Sequence, residues 1–200
     1  IYSFVFKYFL PRGGEDLPHY AVFMFVGILP WTWFSSSLLE SSGVLISGGN
    51  LIKKVLFPAE VLPIVTVLAN MVHFFLGLPI LGAFILYYGM PLHLAELAWF
   101  PVVVLVQLVL TLGFALLLSS LTVHFRDLRD ILSNLMTFWF FATPIIYPYT
   151  LMEPSVMRFL NLNPFTHLAI TYQEILYFPG PVGHAPWLLL LGAISIVFFL

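Results

Sequence analysis

Four long windows of this chain, residues 17–39, 61–95, 97–125 and 131–152, contain no Asp, Glu, Lys or Arg. A helix needs about 20 predominantly apolar residues to cross the hydrocarbon core of a bilayer, and each window is long enough. Nothing else in the sequence restricts the fold so sharply. Only 8% of the 200 residues are charged and 61% are hydrophobic, with a mean hydropathy of +1.03. Soluble domains carry about 25% charged residues, so this chain has too little polar surface to cover a water-soluble globule. The expected fold class is all-α, a polytopic membrane protein. A membrane β-barrel would instead show alternating segments of about ten residues.

The few charged residues and the breakers divide the chain. Residues 1–10 are too short to span and read as the end of a helix, with Lys7 able to snorkel at its edge. The chain starts at Ile1 and stops at Leu200 inside an apolar run, as expected of a window from a longer protein. After the turn at residues 11–18, spans are expected at 19–39, 61–88, 97–122 and 131–149, with a last one from 186 to 200. A loop at 40–60 separates the second and third spans. Within it Gly48-Gly49 breaks the preceding structure, Asn50 can cap a new helix and Pro58 stops it. The result is a short helix with Leu51 and Val55 on one side and Lys53 and Lys54 beside them. A second charged loop covers 123–130. Residues 152–180 are more polar and carry Pro154, Pro164 and Pro179, so two short helices lying at or dipping into the interface are expected there. Asn163-Pro164 is a cap residue before proline at the first helical position.

Lysine and arginine placement sets the orientation. With the 40–60 loop cytoplasmic, Lys53, Lys54, Arg126 and Arg129 lie inside, and Arg12 and Arg158 outside. The net charge of −2 offers no surface for nucleic acid, and zero cysteines exclude disulfides, thiolate metal sites and cysteine nucleophiles. There is no Gly-x-x-x-x-Gly-Lys-[Ser/Thr] phosphate loop, no His-Glu-x-x-His and no Gly-x-Ser-x-Gly. No metal or other cofactor is expected on this chain. No charged residue falls deep in an expected span, which argues against an ion-driven carrier and for an external energy source. His73, with Asn70 one turn earlier, reads chiefly as a helix–helix hydrogen bond, as do Gln107 and Asn134; the sharper reading of His73 is a substrate or proton site. Arg126 and Arg129 read either as a solvated helix start or as a site for a phosphate-bearing lipid head group. Aromatics including Tyr2, Phe4, Tyr147, Tyr149 and Tyr172 fit an interfacial belt, or the stacking of sugar rings along a path. Of Phe138-Trp139-Phe140-Phe141, at least one ring is expected in the core.

With these features placed, the sequence resembles the permease subunits of ABC-2 type polysaccharide exporters, which include O-antigen, capsule and teichoic acid export permeases. The resemblance runs through Gly27-Ile28-Leu29-Pro30-Trp31-Thr32-Trp33-Phe34-Ser35, then Leu51-Ile52-Lys53-Lys54-Val55-Leu56-Phe57-Pro58-Ala59-Glu60-Val61-Leu62-Pro63. It continues through Phe125-Arg126-Asp127-Leu128-Arg129-Asp130, Thr143-Pro144-Ile145-Ile146-Tyr147 and Asn161-Leu162-Asn163-Pro164. It implies a six-helix transmembrane domain in the bacterial cytoplasmic (inner) membrane, working as a homodimer with two copies of a separate ATPase. ATP and Mg would then belong to the partner, and a lipid-linked glycan would be the cargo. The loop between the second and third spans would carry the coupling helix, with Leu51, Lys53, Lys54, Val55 and Phe57 as its contacts. The helices before the last span would be re-entrant. Two other readings stand beside it: an exporter of a drug or small lipid, and a membrane-embedded glycosyl- or acyltransferase, for which no converging catalytic set is found.

Overall fold

The computed structural model describes residues 17–49, 58–91, 94–125, 127–152, 154–178 and 180–199. Among them no strand occurs. The order is α1 (Tyr20–Ser47), α2 (Val61–Tyr87), α3 (Leu94–Leu97), α4 (Phe100–His124), α5 (Leu128–Phe141), a 3-10 turn (Tyr149–Leu151), α6 (Pro154–Leu160), α7 (Pro164–Leu176) and α8 (Ala185–Phe199). Among the described residues three stretches are long and apolar enough to cross a bilayer: Tyr20–Ser47, Val61–Tyr87 and Leu94–His124.

α1 and α2 form an antiparallel pair. At one end Gly48 meets Leu62, where a Cβ on the glycine would lie 2.7 Å from Leu62 Cδ1. At the other, His19 stacks on Tyr88 with ring centroids 4.1 Å apart. Gly48 and Leu62, described residues on either side of the connection between α1 and α2, therefore lie together at one end of the pair, the hinge end, named for the 40–60 loop. Trp33 ties the pair at mid-length by donating Nε1–H to the Val67 carbonyl at 3.2 Å. α4 packs across both helices, and the Gln107 amide donates to the Pro30 carbonyl of α1 at 2.9 Å.

Two expected boundaries are corrected. The second span does not end at residue 39: α1 runs on to Ser47. A single Gly43 costs a helix only about 1 kcal/mol, and the break waits for the pair Gly48-Gly49. Glu40, expected in a loop, therefore sits inside α1 well before its end, so a charged residue does lie within a spanning helix. The fifth span does not run as helix from 131 to 149 either. α5 begins at Leu128 and stops at Phe141, because Pro144 has no N–H to donate and disfavours helical geometry at the residue before it. Its 14 residues cover about 21 Å, short of the hydrocarbon thickness.

Beyond α5 the chain enters a non-helical segment, residues 143–148, buried throughout. Buried backbone groups need partners, and irregular backbone at membrane depth survives only where the protein supplies them. Here side chains do so. Tyr147 Oη–H donates to Phe141 O at 3.1 Å, Asn163 Nδ2 to Ala142 O at 3.3 Å, Gln173 Nε2 to Pro144 O at 2.6 Å and Tyr20 Oη–H to Ile146 O at 2.7 Å.

The core is aromatic. Trp31 and Phe34 of α1, Phe114 of α4, Trp139 and Phe140 of α5, and Phe165 of α7 meet mostly edge-on or tilted, with centroids 4.8 to 6.3 Å apart. These geometries suit ring quadrupoles and join four helices at one centre. Trp139 and Phe140 fulfil the expectation of a core ring in the fifth span, while Phe138 is exposed.

Candidate functional site

Of the two sequence-predicted groups next to the hinge end, Arg129 alone is among the described residues. Leu51, Lys53, Lys54, Val55 and Phe57 lie outside the described residues, as do Arg126, Tyr2 and Phe4. What the structure adds is where their neighbours sit. The α4–α5 corner comes back to the hinge end of α1: a Cβ on Gly43 would lie 3.4 Å from Arg129 Nη1. Arg129 is exposed, and its guanidinium lies over the last two turns of α1. Both positively charged loops thus share one end of the bundle. Asp130, a neighbour of Arg129, accepts through its carbonyl from Asn134 Nδ2 at 3.1 Å. Asn134 therefore bonds within its own helix rather than across to another.

The far end is built around α7. Its residues Phe165 to Leu176 are all buried, polar ones included, so it is enclosed on every side and not laid on a surface. It packs against α1, α4 and α8. Asn163 organises its start. The Asn163 Oδ1 accepts from the Phe165 N–H at 3.0 Å, capping the helix, and from Trp139 Nε1–H at 2.7 Å; its Nδ2 also donates to Thr143 Oγ1 at 2.9 Å. The other end is held by Tyr177, whose hydroxyl donates to Pro18 O at 2.6 Å. α7 therefore runs from the middle of α1, where Phe165 meets Trp31 and Phe34, to the far end, where Tyr177 meets Pro18.

Between α7 and α8 lies a polar cluster that sequence reasoning missed. Glu174 is 6% exposed, and its carboxylate accepts from Tyr149 Oη–H at 3.3 Å and from the His184 backbone N–H at 3.0 Å. His184 Nδ1 completes the set, 2.8 Å from Glu174 Oε1. Gly180, at φ 145°, gives the connecting loop the turn that returns His184 to Glu174. Nearby, the His167 ring stacks on Trp187 with centroids 5.1 Å apart and planes 6° from parallel. Burial holds the His167 pKa below its usual value, the His184 ring pushing the same way against the hydrogen bond to Asn161 O. Burial raises the Tyr149 hydroxyl, with the Glu174 charge adding to it.

Three expected path aromatics are among the described residues. Tyr147 and Tyr172 are enclosed by the chain's own helices, Tyr172 edge-on to Phe74 and Phe100. Neither offers a ring face to a passing sugar in this arrangement. Tyr149 is half-buried and engaged with Glu174. The hydrogen bonds expected of Asn70 and Gln107 are made across helices, Asn70 Nδ2 donating to Glu40 Oε2 at 2.8 Å. His73 is exposed and makes no hydrogen bond within the described residues.

Long apolar helices packed around a fully buried polar-containing helix are the architecture of a multi-pass membrane domain. The profile of the ABC-2 type transporter family matches residues 1–177, and the chain belongs to that family. It is 41% identical over 186 residues to the O-antigen export system permease protein RfbA of Myxococcus xanthus, covering 92% of this chain and 70% of that protein. Similarity to an RfbA permease of Klebsiella pneumoniae is 31% over 175 residues, 88% of this chain and 66% of the relative.

Proposed function

We propose that this chain is the membrane permease of an ATP-driven exporter that moves a lipid-linked polysaccharide from the cytoplasmic to the outer face of the bacterial inner membrane. It works as a homodimer bound to two copies of a separate ATPase, which carries the ATP and Mg. The observation that supports this best is the 41% identity spread over 92% of the chain with an O-antigen export permease. The chain contains no phosphate loop of its own, so the energy enters from a partner. The hinge end is then cytoplasmic. Leu51, Lys53, Lys54, Val55 and Phe57 dock on the ATPase, and Arg126 and Arg129 stand at the same membrane surface, where guanidinium groups suit the diphosphate of a lipid carrier. The far end is external, with α7 re-entering from that side.

Deletion of the gene tests the cargo. Loss of surface polysaccharide, restored by the intact gene, is the expected result. Unchanged surface glycan together with altered drug or lipid sensitivity would move the assignment to an exporter of small amphiphiles. Co-purification should recover the ATPase, and transport by the isolated permease without a nucleotide-hydrolysing partner would overturn the proposal.

A further inference from the structure

Two polar rows face each other across the α1–α2 groove. On α1, Thr32, Ser36 and Glu40 recur every fourth residue; on α2, Thr66, Asn70 and His73 share one face at the same helical period. The helices are antiparallel, so Thr32 stands near the level of His73 and Glu40 near that of Thr66, its side chain reaching one turn on to Asn70, where the 2.8 Å hydrogen bond stitches the rows together. Thr32, His73, Asn70 and Trp33 line one small cleft. Thr32 and His73 each stand twelve residues into their helix, about 18 Å along spans of about 40 Å, which is the middle of the membrane. Glu40 lies closer to the hinge end and is exposed, as are Thr32 and His73.

An exposed imidazole and carboxylate on spanning helices are costly against lipid tails, and such groups face water or a protein interior. The character of the row narrows the occupant. Hydroxyls, an amide and an imidazole exchange hydrogen bonds with neutral hydroxylated molecules, while the Glu40 carboxylate disfavours phosphate and other anions. Resting on the exporter reading above, we propose that Thr32, Ser36, Glu40, Thr66, Asn70 and His73 form a hydrated lining, running from the membrane middle to the hinge end, along which the uncharged sugar units of the cargo exchange hydrogen bonds. The apolar flank of α2, with Leu68, Val72 and Phe75 exposed, faces lipid instead.

The chain contains no cysteine, so vesicles with the unsubstituted permease and its ATPase give the background against which single introduced thiols are read. In inside-out membrane vesicles holding the permease with its ATPase, Thr32→Cys and His73→Cys should react with a charged, membrane-impermeant methanethiosulfonate about tenfold faster than Phe75→Cys, which lies roughly half a turn round α2. Ser36→Cys supplies a third lining position should His73→Cys fail to insert. Equal rates at lining and flank positions would overturn the lining. So would silence at Thr32→Cys and Ser36→Cys in a permease that still exports, since another helix then covers the groove. Disulfide formation between two His73→Cys copies would make the face a contact between subunits and overturn it equally. If gene deletion leaves the surface glycan intact, the cargo assignment falls while the labelling still reads whether the groove is wet.

Discussion

Glu174 has almost no contact with solvent, yet hydrogen-bond donors from two other segments converge on its carboxylate. One of them is the N–H of His184, the residue before α8, so the carboxylate also sits at the positive end of a helix dipole. Glu174→Ala leaves buried donors on Tyr149 and His184 without an acceptor, an expected loss of about 1–3 kcal/mol. Glu174→Gln, which retains a carbonyl acceptor, should lose less. Denaturant midpoints of the purified protein in detergent check this order, and an unchanged midpoint for the alanine variant would remove the cluster's structural role. His167 predicts a pH effect of definite sign. Its pKa is lower in the fold than the ordinary value of about 6.5, so below that pH the unfolded chain takes up a proton that the folded chain resists. Stability contributed by neutral His167 is thus complete above about pH 6.5 and declines as the pH falls below it. The thermal midpoint of the natural protein should drop more between pH 7.5 and 5.5 than that of His167→Gln; parallel drops would assign the acid sensitivity elsewhere. Asn163 was legible before the structure, since a cap residue before proline is a local signal. Glu174 was not. Helical spacing turns Phe165, Leu168 and Tyr172 inward and so puts Glu174 outward, a rule that holds for helices with a wet face and fails for one enclosed on all sides.

At the scale of elements, α7 and the non-helical segment before it depend on one close approach. A Cβ on Gly27 of α1 would lie 3.0 Å from Ile145 Cγ2 and 3.2 Å from Ile145 O, so only glycine lets residues 143–148 press against the helix. Gly27→Val adds two further carbons at that contact and should cost about 1–3 kcal/mol through overpacking. Faster proteolysis or hydrogen exchange within residues 142–178, with α4 still protected, is the expected signature. Uniform protection across the chain would show that the segment adjusts freely. The long apolar helices were plain in the sequence because their signal, absence of charge over about 20 residues, is set by the bilayer itself. The ends of α1 and α5 were not. Both depend on how tertiary contacts treat weak breakers: Gly43 was carried through by packing, whereas Pro144 could stop α5 because Tyr20, Asn163 and Gln173 stand ready to satisfy the freed carbonyls. Those partners come from distant parts of the chain, and no local window contains them.

Across the whole molecule, α1 is the element that touches both ends. It meets α2, α4, α5 and α7, carries the far-end contacts of Tyr20 and Gly27, and finishes under Arg129 beside the hinge. A continuous helix of 28 residues is a strut of about 42 Å, stiff over its length in a way a loop is not. The return of the hinge to Gly48 and Leu62 fixes both ends of that loop to the bundle, so force applied to residues 49–60 is delivered to the bases of α1 and α2 together. If the ATPase docks there, reversing the charge of the hinge should uncouple the two subunits with insertion mostly intact, because the apolar spans are untouched and Arg126 and Arg129 remain as positive-inside anchors. Lys53→Glu with Lys54→Glu is therefore expected to leave the amount of permease in the membrane unchanged. It should lower permease-stimulated ATP hydrolysis and glycan export together. Arg129→Gln provides the contrast, since its guanidinium lies on α1 at the same end but outside the loop: export should fall while stimulated hydrolysis is kept, if the residue serves the lipid head group. Full hydrolysis and normal export in the double lysine variant would reduce the hinge to a topological anchor, and the energy would then have to enter at the α4–α5 corner.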